Sequence, residues 1–380
     1  MTFDLVLLPG DGIGPEVVES ATAVLDAATE GENLDIQYTT FLIGGAAIDA
    51  YQTPIRIEDL ERCRRANALL LGAVGGPTWD ELSVEMRPER ALLRLRSELG
   101  LGINLRPVAW TPAGGRHAPL TELVARGADI AFVRELTGGV YFGQPSYYDQ
   151  TTGKRRAVDT AVYSEEQVLA VLEFAFELAR GRRGKVTSVD KANVMNTSRL
   201  WREVATEYGR NNSDVELEHA LVESFAMSLM RSPRWYDVVV TENLFGDILT
   251  DLAGVIAGSL GVLPSASLMP GGSEQRFGLY EPIHGSAPSL AGQDVANPVG
   301  CMLSVALLLQ WSLGRADLAN DLRLAVQTVM AGGRLTADLA GNDVAPAGTR
   351  QFTEAVIEVL QALRDGGGAS ERRHIRHHVA

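Results

Sequence analysis

The chain has almost no cysteine. Its two, Cys63 and Cys301, cannot form a disulfide framework or a zinc cluster and read as small buried side chains. A long hydrophobic run is also missing. Val299–Trp311 is the longest largely apolar stretch, is interrupted by Ser304 and Gln310, and is too short to cross a bilayer. The first residues, MTFDLVLLPG, have neither the basic start nor the extended apolar core of a secretory leader. These absences point to a soluble, cytoplasmic protein with no membrane partner. Positive charge is in deficit as well, with 34 Lys and Arg against 48 Asp and Glu, a net charge of −14. A surface of that sign repels phosphate backbones, so no nucleic-acid partner is expected. The charge of a local pocket is left open.

What is present is ordinary for a folded enzyme-sized chain. A 46% hydrophobic and 22% charged composition excludes wholesale disorder, and 380 residues suggest about two domains or one large α/β unit. Phe3–Leu8 reads as a buried strand, followed by the turn Pro9–Gly14 and a helix opened by Pro15, whose missing N–H costs nothing in a first turn. Ile36–Phe41, Ala68–Leu71, Ile130–Val133, Lys185–Val189 and Asp237–Thr241 read as further strands. Glu89–Leu99, Val168–Arg180, Leu200–Tyr208, Glu218–Met230, Asp247–Ala257, Val299–Leu313 and Asp317–Met330 read as helices. Strands alternating with helices predict α/β layers. Tyr141–Thr160 has no helical period and reads as a functional loop or a small β-arm. Gly366–Ala380 reads as a mobile solvated tail, with metal binding by His374, His377 and His378 as the lesser alternative.

Several residues carry chemistry. Pro9-Gly10-Asp11-Gly12-Ile13-Gly14 fails the dinucleotide fingerprint, because Pro15 stands where the third glycine belongs. Asp247 and Asp251 share one face of a helix four residues apart, either as a solvated acidic face or as oxygen ligands to a divalent cation. Glu223 lies in apolar LVESFAM and wants a partner or a metal. His219 at i−4 would make a simple hydrogen-bonded pair, and a zinc site is unlikely without a second histidine. Arg96, Arg106 and Arg134 sit in apolar surroundings. Each could be a structural ion pair; together they suggest a pocket for carboxylates, which suit the planar guanidinium fork. Lys191, directly after a strand with Asp190 and Asn193 beside it, is a candidate base, and Tyr141 follows a glycine turn.

Apart from Arg96, His219 and Glu223, these residues belong to a set of longer segments: LPGDGIGPEV at 8–17, FLIGGAAIDA at 41–50, LLGAVGGPTWD at 70–80, INLRP at 103–107, VRELTGGVYFG at 133–143, VTSVDKANV at 186–194, FGDILTDLA at 245–253, GSLGVLPSASL at 258–268 and EPIHGSAP at 281–288. In that order they resemble the isocitrate/isopropylmalate dehydrogenase family of β-hydroxyacid oxidative decarboxylases. The resemblance implies an α/β, two-domain fold with a shared mixed sheet, not a standard Rossmann fold. A discontinuous cofactor domain would comprise 1–101 and 258–365. Residues 102–257 would bind substrate and metal and form a homodimer, with an arm at about 142–160, and 366–380 would be a flexible tail.

The implied activity is the NAD-dependent oxidative decarboxylation of a 3-substituted malate with Mg²⁺ or Mn²⁺. Matching positions assign the carboxylates to Arg96, Arg106 and Arg134, catalysis to Tyr141 and Lys191, and the metal to Asp247, Asp251 and Glu223. Lys191 and Glu223 would serve the partner subunit's site. Glu89, Leu92, Leu93 and Val194 would receive the substrate's alkyl group and approach the nicotinamide, and Asn193 would also bind substrate. Ile13, Glu281, His284, Gly285, Ser286, Ala287, Ser289, Leu290 and Asn297 would bind NAD. The apolar pair Leu92 and Leu93 cannot hydrogen-bond a third carboxylate, which disfavours isocitrate; the substrate that the resemblance implies is 3-isopropylmalate, a leucine precursor. The sequence departs from the family at Glu223, where Asp is usual, and at Ser289, where an acidic residue usually holds the ribose. It also has a longer loop at 269–277. The alternatives are a paralogue acting on another 3-substituted malate or D-malate and, more remotely, a non-catalytic homologue.

Overall fold

The computed structural model describes residues 2–115, 120–149, 154–271, 275–341 and 345–365. The tail reading at 366–380, the tip of the arm at 150–153 and positions 272–274 of the 269–277 loop lie outside the described residues.

Twelve strands are described: β1 (Thr2–Gly10), β2 (Asp35–Thr40), β3 (Ala68–Ala73), β4 (Ile103–Ala109), β5 (Asp129–Glu135), β6 (Tyr147–Asp149), β7 (Arg156–Val158), β8 (Lys185–Asp190), β9 (Glu216–Leu221), β10 (Val238–Thr241), β11 (Pro264–Leu268) and β12 (Gly278–Pro282). Ten of them form one sheet in the order β2-β1-β3-β12-β11-β4-β5-β10-β8-β9. The sheet is mixed. Its two ends are parallel, whereas β12, β11, β4 and β5 run antiparallel to one another at the centre. All sheet strands from residues 103–241 lie on one side of the β11–β4 junction, and those from the two chain ends lie on the other. The arm is the separate antiparallel hairpin β6–β7.

The central strands are apolar because helices cover both faces. β3 and β10 are buried at every residue. The helix Val299–Trp311 is buried nearly all round, as a helix between a sheet and other helices must be. No helix among the described residues is long and apolar enough to cross a membrane.

One predicted element is corrected. Glu218–Met230 is not a single helix: Glu216–Leu221 is an edge strand parallel to β8, and the helix is Val222–Arg231. The sheet edge supplies backbone partners, and Lys185 draws in the Glu218 carboxylate at 2.8 Å. The proposed i−4 pairing of His219 with Glu223 therefore fails. His219 Nε2 instead meets the Thr206 hydroxyl at 3.0 Å.

Candidate active site

The site forms where β4 and β5 present alternate side chains to one face and a helix begins above them. Asn104 and Arg106 are two apart on β4, and Arg134 on β5 lies opposite Asn104. Strand β10 pairs with β5 and passes into the helix Asn243–Ala257, so Asp247 and Asp251 arrive over the arginines. The buried Arg134 donates to the Asp247 carboxylate through Nη1 and to Asn243 Oδ1 through Nε and Nη2, at 3.0 and 2.7 Å. The Tyr141 hydroxyl donates to the other Asp247 oxygen at 2.9 Å. Arg106 donates to Asn104 Oδ1 at 2.8 Å and Thr250 Oγ1 at 2.7 Å, and lies 3.8 Å from Asp247 and 3.7 Å from Asp251.

The charges tune one another. Burial drives the Arg106 guanidinium down to about 10, with Arg134 and Arg96 adding repulsion. Burial opposes ionisation of Asp247, but Arg134 and Arg106 hold its carboxyl below the ordinary range. Burial also raises the Asp251 carboxyl. The Tyr141 phenol is pushed up to about 12, by burial and then by Asp247, so it is a protonated donor at neutral pH.

Arg96 closes the cluster from the helix Glu89–Glu98. Its Nη2 donates to Glu281 at 2.7 Å, and its buried Nε has no partner among the described residues. Leu92 and Leu93, on the same helix, are half-buried, and Glu89 is exposed at its first turn. Lys191 and Glu223 come together from the end of β8 and the first turn of Val222–Arg231 and form an ion pair. Lys191 lowers the Glu223 carboxyl by that hydrogen bond. Neither has a recorded contact with Asp247 or Asp251. No group of three or more His, Cys, Asp or Glu residues among the described residues is placed to hold a metal within one chain. Asn193 and Val194 are exposed on the turn after Lys191. Asp190 is taken up by Arg202 at 2.8 and 2.9 Å and so is no partner for Lys191.

Of the remaining candidates, Ile13 and Ser286 meet at the first turn. Ile13 N–H donates to the Ser286 carbonyl at 2.8 Å. Gly12, with φ +58°, approaches so closely that a Cβ would lie 2.0 Å from that same oxygen. Ala287 adopts a left-handed conformation, Gly285 has open space, and Ser289 and Leu290 are exposed. His284 Nδ1 meets the Gly285 carbonyl at 2.9 Å. Its Nε2 is without a partner among the described residues, and burial keeps the ring neutral. Asn297 is held by Asp338 at 2.9 Å and by the N–H of Val299 at 3.0 Å.

Asp11 was not singled out in the sequence, although an acid between two glycines of a turn was a signal. Its buried carboxylate accepts N–H bonds from Gly45 at 2.9 Å, Ala46 at 2.8 Å and Gly75 at 2.8 Å, tying three loops together. Asp11→Ala is expected to cost about 2–4 kcal/mol by leaving those donors unpaired. Urea unfolding checks this; a change below about 1 kcal/mol would mean that water replaces the carboxylate.

The Isocitrate/isopropylmalate dehydrogenase family model matches residues 4–356. A 3-isopropylmalate dehydrogenase of Anaeromyxobacter dehalogenans is 51% identical over 360 residues, covering 95% of this chain and 100% of the relative. One from Bacillus subtilis is 49% identical over 359 residues, covering 94% and 96%. Among solved structures, an isocitrate dehydrogenase from Methylococcus capsulatus superposes with a TM-score of 0.81 at 31% identity, covering 94% of this chain and 99% of that one. The chain belongs to the isocitrate/isopropylmalate dehydrogenase family of oxidative decarboxylases.

Proposed function

We propose that the chain oxidatively decarboxylates 3-isopropylmalate with NAD⁺ and Mg²⁺ or Mn²⁺, yielding 4-methyl-2-oxopentanoate in leucine biosynthesis. The observation that carries this is the convergence of Arg106, Arg134 and Tyr141 on Asp247, one turn from Asp251, in a chain that aligns over 95% of its length with an enzyme of that name. Two guanidinium groups suit a dicarboxylate, and two carboxylates on one helix face suit a hard divalent cation. The half-buried Leu92 and Leu93 offer an alkyl substituent an apolar wall.

Arg96, Arg106 and Arg134 hold the malate carboxylates. Asp247 and Asp251 hold the metal, and the loops at 11–14 and 284–290 with Asn297 hold the nucleotide. A metal held there would supply acidification of the substrate hydroxyl, and NAD⁺ would supply the hydride acceptor. Lys191 takes the hydroxyl proton through water or a neighbouring carboxylate, and Tyr141 returns a proton to the enolate carbon once CO₂ has left.

A second copy completes the site. Met227 and Ile248 are 63% and 59% exposed on adjacent helices, an apolar face suited to a twofold interface. That arrangement brings the partner's Lys191 and Glu223 towards Asp247 and Asp251. The strand order supports a division into 102–257 and the two chain ends, with the substrate between them.

The test is a panel of 3-substituted malates, D-malate and isocitrate with Mn²⁺ and NAD⁺, read as NADH formation. 3-Isopropylmalate is expected to give the highest kcat/KM. A smaller or bulkier malate used at least tenfold better would overturn the substrate assignment. In the same assay Tyr141→Phe is expected to form NADH while releasing CO₂ about 10–100-fold more slowly, because the proton donor is gone. Equal losses in both steps would remove Tyr141 from the second one.

A further inference from the structure

The residue that ties the site together was not among the candidates. Tyr163 lies between β7 and the helix Glu165–Arg180 and is almost wholly buried. Its hydroxyl donates to Glu242 Oε2 at 3.0 Å and accepts from Asn243 N–H at 2.9 Å. Both partners stand at the start of the helix that carries Asp247 and Asp251. Glu242 also caps that helix by accepting from Phe245 N–H at 2.6 Å.

The ring lies close against the turn that carries Tyr141. A Cβ on Gly138 would sit 2.5 Å from Tyr163 Cε1, and one on Gly139 would sit 2.5 Å from the phenol oxygen. The turn is pinned to the residue before Tyr163 by the bond from Gly139 N–H to the Val162 carbonyl at 2.9 Å. Asn243 extends the link. Its Oδ1 accepts from Arg134 twice, and its Nδ2 donates to the Gly138 carbonyl at 3.1 Å. One phenol thus touches the Tyr141 turn, the start of the metal-ligand helix and, through Asn243, the carboxylate-binding Arg134.

We propose that Tyr163 is a positioning residue: its hydroxyl fixes Tyr141, Asp247 and Arg134 in one mutual register. The inference rests on the function proposed above. Tyr163 does not reach the reacting atoms. It holds the elements that do, and a displacement of about 1 Å at such a site costs on the order of a hundredfold in rate.

The experiment compares Tyr163→Phe with Trp201→Phe in the intact protein. Trp201 packs edge-on to the same ring at 5.9 Å and gives its own N–H to Ser188 at 3.1 Å rather than to the Tyr163 hydroxyl, so its replacement reports loosened packing and a lost buried bond with the Tyr163 bonds left in place. NADH formed and CO₂ released are measured together with the melting temperature. Tyr163→Phe is expected to lower kcat about 10–100-fold and to form more NADH than CO₂, because Tyr141 is displaced. Trp201→Phe is expected to lower the melting temperature while keeping kcat within threefold and the two products equal.

Asn243→Ala, which removes the acceptor for Arg134, is expected to reproduce the Tyr163→Phe kinetics and to be non-additive with it. It carries the test if Tyr163→Phe folds poorly. A Tyr163→Phe enzyme with kcat within threefold of wild type, or a loss matched by Trp201→Phe, overturns the inference. A wild-type protein that turns over no malate would instead overturn the proposed function.

Discussion

Lys191→Met is expected to reduce NADH formation from 3-isopropylmalate by about 10³-fold or more, with the fold intact. Methionine keeps the length and apolar stem of lysine but cannot accept a proton, so the loss falls on removal of the substrate hydroxyl proton. General-base catalysis is worth roughly 10²–10⁴ in rate. The stability side is favourable to the experiment. Lys191 pairs with an exposed Glu223, and ion pairs of that kind add little to stability. The melting temperature should therefore stay close to wild type while turnover disappears. The comparison also tests the subunit arrangement. If Lys191 works in the neighbouring site, mixing Lys191→Met protein with Tyr141→Phe protein should regenerate one intact site per mixed dimer and restore part of the CO₂ release, the step impaired in both parents. Wild-type turnover in the lysine variant would remove Lys191 from the mechanism. Absence of any recovery on mixing, with exchange of subunits verified, would place Lys191 in its own chain's site.

How far the sequence reached depends on the kind of force that shapes each part. Strands such as Ala68–Ala73 and Val238–Thr241 were legible because both faces are covered and the code is a continuous apolar run. Asp247 and Asp251 were legible because helical spacing is local. Pro264–Leu268 was not read as a strand. Its serines are satisfied only in the folded molecule, where Asn104 reaches Ser265 at 2.8 Å across 161 positions. Glu216–Leu221 was misread for a related reason, since its pairing with β8 outweighs its local period. The helix Thr349–Asp365 was legible and passed over: Phe352, Ala355, Val356, Leu360 and Leu363 mark a clear buried stripe.

The same division runs through the candidate site. Arg106, Arg134, Tyr141 and Asp247 each sit in a distinctive segment, and the structure brings them together. The residues that hold them, Asp11, Tyr163 and Asn243, depend on strand order and on loops meeting from distant positions. The local hints were an acid between two glycines at Asp11 and an acid and an amide, Glu242 and Asn243, standing at a helix start.

Asp247→Asn is the variant in which chemistry and stability are expected to fail together. The Asp247 carboxylate answers Arg134 directly, Arg106 at 3.8 Å and the Tyr141 hydroxyl at 2.9 Å. Asparagine keeps the shape and loses the charge, leaving three mutually repelling guanidiniums with less compensation. Breaking a fully buried pair costs about 3–5 kcal/mol. Solvent reaches Asp247, whose side chain is 38% exposed, so about 1–3 kcal/mol is expected instead.

The sign of the pH dependence follows. The folded-state carboxyl is held below its ordinary value of 3.8. Its contribution is therefore complete above about pH 4 and is lost as pH falls through the lower folded value. In Asp247→Asn that acid-side loss should be absent. Catalysis is expected to suffer more, because the proposed metal ligand and the acceptor for Tyr141 go in one step. A fall of about 10⁴-fold in kcat/KM is expected, with Mn²⁺ affinity lowered in calorimetric titration. Asp251→Asn supplies the contrast. Its carboxylate is 63% exposed and lies 3.7 Å from Arg106, so it should lose metal and turnover to a similar extent while the melting temperature barely moves. If both variants bind Mn²⁺ like the wild type, the helix face they share is not the metal site.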